Sequence, residues 1–332
     1  MQTVTLIEGD GIGPEITSAV VEIFEAAKVP ITWERINAGR SVLEEEGQLV
    51  PDRLIESIKR NKVALKGPIT TPVGKGFKSV NVQLRQMLDL YQNIRPCKTT
   101  PGVKTPFDKV DLVIFRENTE GLYSGLEFYD ARLQISDSIA RITKTGCQNI
   151  IRAAFSYAQA NGRKKVTVVH KANILKKAGG MFLETANEIA PEFPGVELDD
   201  KIVDNMCMQL VIKPEQFDVI VATNLFGDIL SDLCAGLVGG LGVVSGANVG
   251  DNEAIFEAVH GSAPDIAGQG IANPTALLRS ALMMLQHMGL TEEHDRINNA
   301  LEETISQPAL CTRDLGGNAS TSEFTRHIIG RL

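Results

Sequence analysis

Several classes of protein are disfavoured by what this chain lacks. No apolar run reaches the ~18 residues that a membrane-spanning helix needs, and the nearest candidate, residues 233–247, is interrupted by five glycines. A secretory signal peptide is not expected, because Glu8 and Asp10 follow closely on the apolar residues 4–7. The sequence therefore predicts no membrane partner.

Cysteine, histidine and blocks of charge are also sparse. Five scattered cysteines form no Cys-x-x-Cys pair, and their odd number favours free thiols in a reducing cytoplasm. Five histidines show no zinc-ligand spacing. The formal net charge is −8 and no long block has one sign, so nucleic-acid binding is not expected. We expect a cytoplasmic protein without a nucleic-acid partner.

What the chain does contain is the alternation typical of an α/β protein. Its 332 residues suffice for roughly two domains, and a content of 43% hydrophobic and 22% charged residues argues against disorder. β-Branched runs predict strands, and 3.6-residue periodicity predicts helices. The predicted strands are residues 4–7, 63–65, 111–115, 166–169 and 219–222, and the clearest helices are residues 16–27, 79–90 and 277–288. No repeat or low-complexity linker separates domains, so we expect domains that exchange chain more than once.

Three of the predicted strands end in polar side chains. These are Arg116 after the third strand, Lys171 after the fourth, and Asp228 and Asp232 after the fifth. Ligands of open α/β sheets bind outside the carboxyl ends of strands, so three such ends indicate a shared site. Two carboxylates four residues apart on a helix share one face, which favours a bound Mg²⁺ or Mn²⁺. The simpler alternative is an acidic helix start that suits the helix dipole.

The N-terminal segment is close to a dinucleotide fingerprint without matching it. Residues 9–15 read Gly-Asp-Gly-Ile-Gly-Pro-Glu, and Pro14 occupies the third glycine position of Gly-x-Gly-x-x-Gly. The segment therefore predicts a tight strand-to-helix turn that needs positive φ, with some role in walling a cofactor cleft.

Arginines and a polar loop point to a small anion and a nucleotide. Arg85, Arg95 and Arg116 can each bind a carboxylate through a planar fork. Ser79 could N-cap the helix predicted to follow it. In the loop at 257–268, an acidic residue could bind ribose hydroxyls and repel a 2′-phosphate, which would separate NAD from NADP.

Together these motifs resemble the β-decarboxylating dehydrogenases, the family of isocitrate, homoisocitrate and 3-isopropylmalate dehydrogenases. The resemblance covers essentially the whole chain and is carried by residues 9–15, 224–232, 239–242 and 260–268. It implies an α/β fold of two interlaced domains around a mixed sheet, and not a Rossmann fold. It places residues 1–95 and 240–332 in a large domain with the cofactor loop. Residues 96–239 then form a small domain with the metal and catalytic residues and a dimer interface that includes a clasp.

Within the family, the chain is most similar to the NAD-dependent isocitrate dehydrogenases. Ser79-x-Asn81 matches the isocitrate signature, and Asp265-Ile266 matches the NAD form of the cofactor loop. The resemblance implies oxidative decarboxylation of isocitrate to 2-oxoglutarate, a tricarboxylic acid cycle reaction, with NAD and Mg²⁺ or Mn²⁺ in a homodimer with shared active sites. The alternatives are a homoisocitrate or 3-isopropylmalate dehydrogenase, or a non-catalytic regulatory subunit of a heteromeric enzyme.

The same resemblance implies a role for individual residues. Tyr123 is the implied proton donor and Lys171 the implied base. The implied substrate contacts are Thr71, Ser79, Asn81, Arg85, Arg95 and Arg116. The implied metal ligands are Asp204, Asp228 and Asp232. The implied cofactor contacts are Glu257, His260, Gly261, Ser262, Ala263, Pro264, Asp265, Ile266 and Asn273. Lys171 and Asp204 are expected to act in the neighbouring subunit's site.

Overall fold

Strands and helices alternate along the chain, as the sequence predicts. The computed structural model describes residues 1–39, 42–43, 46–70 and 79–332. The strands are β1 Gln2–Ile7, β2 Ile31–Arg35, β3 Val63–Lys66, β4 Gln92–Lys98, β5 Asp111–Glu117, β6 Gly121–Asp130, β7 Ile135–Arg141, β8 Lys165–His170, β9 Glu197–Ile202, β10 Val219–Ala222, β11 Ser245–Val249 and β12 Ala254–Ala258. The α-helices are α1 Gly13–Ala26, α2 Asp52–Asn61, α3 Val80–Met87, α4 Lys144–Ala160, α5 Ala178–Ile189, α6 Val203–Ile212, α7 Asn224–Leu237, α8 Thr275–His287, α9 Thr291–Ile305 and α10 Thr321–Ile329.

The chain divides into two units that exchange chain several times. The first unit comprises Met1–Leu88, Lys98–Asp108 and Ala235–Leu332. The second unit comprises Asp89–Cys97 and Lys109–Cys234. The predicted division into a large domain of residues 1–95 and 240–332 and a small domain of residues 96–239 stays a prediction.

The first unit holds five strands in the order β2-β1-β3-β12-β11. The first four are parallel, whereas β11 and β12 are antiparallel. This mixed arrangement agrees with the predicted fold class and differs from the all-parallel Rossmann sheet. Every residue of β3 is buried, which explains the apolar run of residues 63–65 that precedes Lys66.

The second unit holds five strands in the order β4-β5-β10-β8-β9, with a separate antiparallel hairpin of β6 and β7. Strands β5, β10, β8 and β9 run parallel. The predicted strands at 111–115, 166–169 and 219–222 are confirmed as β5, β8 and β10, and they are neighbours. Their carboxyl ends therefore lie along one edge of the sheet. Apolar side chains of α4 and α5 pack against the buried residues of these strands.

No helix in the described ranges is both long and apolar enough to cross a membrane.

Candidate active site

The end of β5, the start of β6 and the first turns of α7, the helix after β10, bring an arginine, a tyrosine and an aspartate into contact. Arg116, only 1% exposed, donates from Nε to Oδ1 of Asn224 at 2.9 Å and forms an ion pair with Oδ1 of Asp228. The Tyr123 hydroxyl donates to Oδ2 of Asp228, and the Arg116 guanidinium lies 5.0 Å from the Tyr123 ring centroid. Both oxygens of Asp228 are therefore oriented by a donor.

A glycine permits this close contact between helix and strand. A Cβ added to Gly227 would lie 2.6 Å from Cβ and Cγ of Arg116, too short for a real contact. The glycine in the motif 224–232 thus lets the first turn of α7 rest on the Arg116 side chain.

One turn further along α7, a second arginine meets the second aspartate. Arg95 of β4 contacts Oγ of Ser231 at 3.0 Å and Oδ1 of Asp232 at 3.2 Å through Nη1. Its Nε donates to Oδ1 of Asn93 at 2.7 Å, which fixes the guanidinium plane. The two aspartates thus each face an arginine, so their mutual repulsion is offset by guanidinium groups as well as by any bound cation.

The two aspartates suit a hard cation that has other ligands as well. Asp228 and Asp232 offer carboxylate oxygens, and Mg²⁺ is usually held by one or two carboxylates with further oxygens from water or substrate. Among the residues that the structure describes, no group of three or more His, Cys, Asp or Glu side chains could hold a metal ion. One chain therefore does not gather Asp204 with the other two predicted ligands.

Asp204 is instead joined to the predicted base. Lys171, at the end of β8, forms an ion pair with Asp204 at the start of α6, and this hydrogen bond lowers the pKa of the Asp204 carboxyl. The Lys171 carbonyl accepts from the amides of Ile174 at 3.0 Å and Leu175 at 2.8 Å, which fixes the turn that carries it. Lys171 and Asp204, the two residues expected to act in a neighbouring subunit, are thus in direct contact.

The predicted isocitrate contacts lie on and before α3. Ser79 occupies the N-cap position, but its side chain makes no capping hydrogen bond within the described residues, so the predicted capping bond is not formed. Oδ1 of Asn81 and Nε of Arg85 are buried and have no hydrogen-bond partner among the described residues. Buried polar atoms of this kind call for a ligand or water. Thr71 lies outside the described residues.

A buried ion network orients Arg85. Glu257 accepts from Lys66 Nζ at 2.6 Å, from Asn248 Nδ2 at 2.7 Å and from Arg85 Nη2 at 3.3 Å. Burial by itself raises the pKa of Glu257, but Lys66 and Arg85 outweigh it and hold that pKa well below its usual value. The structure thus places Glu257 beside Arg85, although the sequence assigned it to the cofactor.

A cavity of about 930 Å³ in the first unit is lined by part of the segment between β12 and α8, residues 259–274, which we call the cofactor loop. This segment contains most of the predicted motif at 257–268 and also Asn273. The predicted cofactor residues that line it are His260, Gly261, Ala263, Ile266 and Asn273. His260 donates from Nδ1 to the Gly261 carbonyl at 2.9 Å, whereas its buried Nε2 has no partner among the described residues. Burial lowers the pKa of His260, so Nε2 of a neutral ring can accept a hydrogen bond.

The other predicted cofactor residues occupy different places in the loop. Ser262 is buried, with its hydroxyl 2.6 Å from that of Thr70. Pro264 and Asp265 are exposed, and the Asp265 carbonyl accepts from Gln269 Nε2 at 2.8 Å.

A family model described as isocitrate/isopropylmalate dehydrogenase matches residues 3–328. The chain belongs to this family. The family predicted from the motifs at 9–15, 224–232 and 260–268 is therefore confirmed.

Individual members of the family are similar along the whole chain. Subunit 2 of the mitochondrial NAD isocitrate dehydrogenase of Schizosaccharomyces pombe is 50% identical, over 99% of this chain and 87% of the relative. A mitochondrial regulatory subunit of the NAD isocitrate dehydrogenase of Dictyostelium discoideum is 49% identical, over 100% of this chain and 92% of the relative. The crystal structure of isocitrate dehydrogenase from Methylococcus capsulatus aligns with a TM-score of 0.96 at 50% identity, over 100% of this chain and 99% of that one.

The cytoplasmic location expected from the sequence is wrong, because the curated family members above are named as mitochondrial proteins. The expectation relied on free thiols, and all five cysteines are indeed free. Free thiols indicate reducing surroundings, and they do not distinguish one reducing compartment from another.

Several cavity-lining residues lie outside the motifs from which the cofactor site was predicted. They are Ile271, Ala272, Arg313, Asp314, Asn318 and Ala319, whereas Ile12 and Gly242 lie in the motifs at 9–15 and 239–242. Asp314 accepts from Asn273 Nδ2 at 2.8 Å and so orients a predicted cofactor contact. No local pattern marks residues 313–319, because their role depends on a contact across some forty residues of chain.

Proposed function

We propose that this member of the family catalyses the NAD-dependent oxidative decarboxylation of isocitrate to 2-oxoglutarate and CO₂, with Mg²⁺ or Mn²⁺. The observation that carries the proposal is the cluster of Arg95, Arg116, Tyr123, Asp228 and Asp232, in which the side chains of β4, β5 and β6 contact the first turns of α7. It combines two carboxylate-binding groups, a proton donor and two hard metal ligands. The names of similar family members, which are NAD isocitrate dehydrogenase subunits, support the choice of substrate and cofactor.

The arginines bind the substrate's carboxylates in this proposal. Arg95 and Arg116 are already fixed by Asn93 and Asn224, so little side-chain freedom is lost when a carboxylate binds. Arg85 is fixed in the same way by its buried ion network. Ser79 and Asn81 contact the γ-carboxylate, and the uncapped Ser79 hydroxyl remains available for it.

Two side chains move the protons. Lys171 assists deprotonation of the C2 hydroxyl, directly or through a water molecule. Tyr123 returns a proton to the carbon that has lost CO₂. Burial and the hydrogen bond to Asp228 raise the pKa of Tyr123, so it keeps its proton near neutral pH and can act as the donor. When bound, the cation supplies Lewis-acid polarisation of the substrate oxygens, and NAD supplies the hydride acceptor.

We also propose a homodimer whose active sites are shared, with Asp204 and Lys171 completing the partner's site. Support comes from apolar side chains that this chain leaves exposed on α6, where Met208, Val211 and Ile212 are each more than half exposed. The β6–β7 hairpin likewise exposes Phe128 and Tyr129. Exposed apolar groups of this extent are typical of a surface that pairs with another chain.

The second candidate is a non-catalytic regulatory subunit, because one similar family member is named as a regulatory subunit. Against it, every residue of the proposed catalytic and metal set is present in this chain, namely Tyr123, Lys171, Asp204, Asp228 and Asp232. Homoisocitrate and 3-isopropylmalate remain the alternative substrates.

A kinetic panel on the purified chain alone tests the proposal. Isocitrate, homoisocitrate and 3-isopropylmalate are each assayed with NAD and with NADP, in Mg²⁺ or Mn²⁺ and in excess chelator. We expect turnover of isocitrate with NAD that chelator abolishes. Turnover that requires a second, different chain would favour the regulatory role, and a higher kcat/KM for another substrate would reject isocitrate.

A further inference from the structure

The N-terminal segment 9–15 has no part in the catalytic proposal, yet it holds the cofactor loop. The Ile12 amide donates to the Ser262 carbonyl at 2.9 Å, and Ile12 also lines the cavity. Gly11 has φ +62°, and a Cβ there would lie 2.0 Å from the carbonyl oxygen of Ser262. The segment therefore requires glycine at position 11 because the loop backbone rests directly on it.

Glu15 makes the second attachment, at the other end of the loop. Its Oε1 accepts from the Ala272 amide at 3.0 Å, and its Oε2 accepts from the Gly270 amide at 3.3 Å. Both oxygens of one carboxylate thus hold backbone directly before Asn273.

Thr321, the first residue of α10, completes this attachment. Its amide donates to the Gly270 carbonyl at 2.8 Å. Its hydroxyl lies between Oε1 of Glu15 and the Ala272 carbonyl, 2.6 Å from the latter, and its one proton can serve either acceptor. Residues of helices α1 and α10 therefore form hydrogen bonds to the same part of the loop, residues 270–272.

The helix dipole alone does not account for Glu15. An acidic side chain in the first turn of α1 is favourable wherever it points. Here the carboxylate points to amides of a segment more than 250 residues away along the chain, and hydrogen bonds to an ionised acceptor are stronger than neutral ones.

We propose that Glu15 is a positioning residue for the dinucleotide: it holds residues 270–272 so that Asn273 stays at the cavity wall. Glu15 acts through backbone amides and is not itself a catalytic residue. The inference rests on the proposed function only in taking NAD as the ligand of this cavity.

The test compares Glu15→Gln with Glu22→Gln, which removes an exposed charge from the same helix. The dissociation constant of NAD is measured calorimetrically without isocitrate, and KM for both substrates and kcat are measured separately. Loss of charge-assisted bonds to the loop should raise the Kd and KM of NAD by about tenfold in Glu15→Gln. The KM of isocitrate and kcat should stay within about twofold of the wild type, as should all constants of Glu22→Gln.

Thr321 offers a second pair of variants. Thr321→Val should raise the Kd of NAD, as Glu15→Gln does. Thr321→Ser keeps the hydroxyl and should bind NAD with a Kd close to that of the wild type. An unchanged Kd of NAD in Glu15→Gln, or an equal loss of NAD affinity, isocitrate affinity and kcat, would overturn the positioning role. The calorimetric arm needs no turnover, so a wild-type chain that binds NAD but does not oxidise isocitrate would reject the proposed function and still decide the role of Glu15.

Discussion

Substituting Glu257 by glutamine should be among the most damaging isosteric changes in the first unit. The change keeps the shape of the side chain but removes the negative charge that faces Lys66 and Arg85. All three side chains are at least nine-tenths buried, so neither cation can regain water without local opening.

Removing one partner of a buried ion pair costs about 3–5 kcal/mol, because the other charge stays buried and unpaired. That loss corresponds to a factor of roughly 10²–10⁴ in the unfolding equilibrium constant. The matched control is Glu253→Gln. Glu253 pairs with Lys62 at 2.9 Å. The Glu253 side chain is only 10% exposed, but that of Lys62 is 55% exposed and can regain water when the carboxylate is removed, so this pair should contribute no more than about 1 kcal/mol.

Urea unfolding followed by circular dichroism, at one protein concentration, compares the wild type with both variants. Because the pKa of Glu257 is lowered on folding, its stabilisation is fully present above the unfolded pKa of about 4.3 and is lost as pH falls through the folded value. The difference between wild type and Glu257→Gln should therefore be constant between about pH 6 and pH 8.

Adding Lys66→Met to Glu257→Gln should recover part of the loss, since the unpaired ammonium is removed. The reasoning would be refuted if the urea midpoint of Glu257→Gln were no lower than that of Glu253→Gln. It would also be refuted if adding Lys66→Met lowered the stability of Glu257→Gln further.

Three further predictions concern the proposed chemistry. Ser79→Asp should lower kcat/KM for isocitrate by about 10² or more through like-charge repulsion of the γ-carboxylate, and near-normal kinetics would reject that contact. Asp265→Lys with Ile266→Tyr should move the ratio of kcat/KM values from NAD toward NADP, and an unchanged ratio would count against the loop assignment. Homodimers of Lys171→Met and of Asp228→Asn should each be inactive. Exchange of protomers between them should restore up to about a quarter of the activity, because half of the dimers are then mixed and each has one intact site; no recovery after verified exchange would contradict shared sites.

Local patterns in the sequence were enough to predict much of the fold and several parts of the candidate site. Strands at 63–65 and 219–222 were predictable because both faces of a central strand are covered, which demands an unbroken apolar run. Asp228 and Asp232 were predictable as a pair because the helical repeat alone places residues four apart on one face. The motif at 9–15 indicated a turn that needs positive φ, and Gly9 and Gly11 have φ of +80° and +62°.

Contacts between distant segments were decided only by the tertiary structure. Glu257 was predicted as a cofactor contact from the motif that it begins; strand pairing also buries it beside Lys66, and Arg85 is its second charged partner, both more than 170 residues away. Asp314 and Glu15 gained their contacts with the cofactor loop in the same way. The physical reason is that periodicity and turn chemistry act over a few residues. Which charge meets which donor depends on the order in which strands and helices pack.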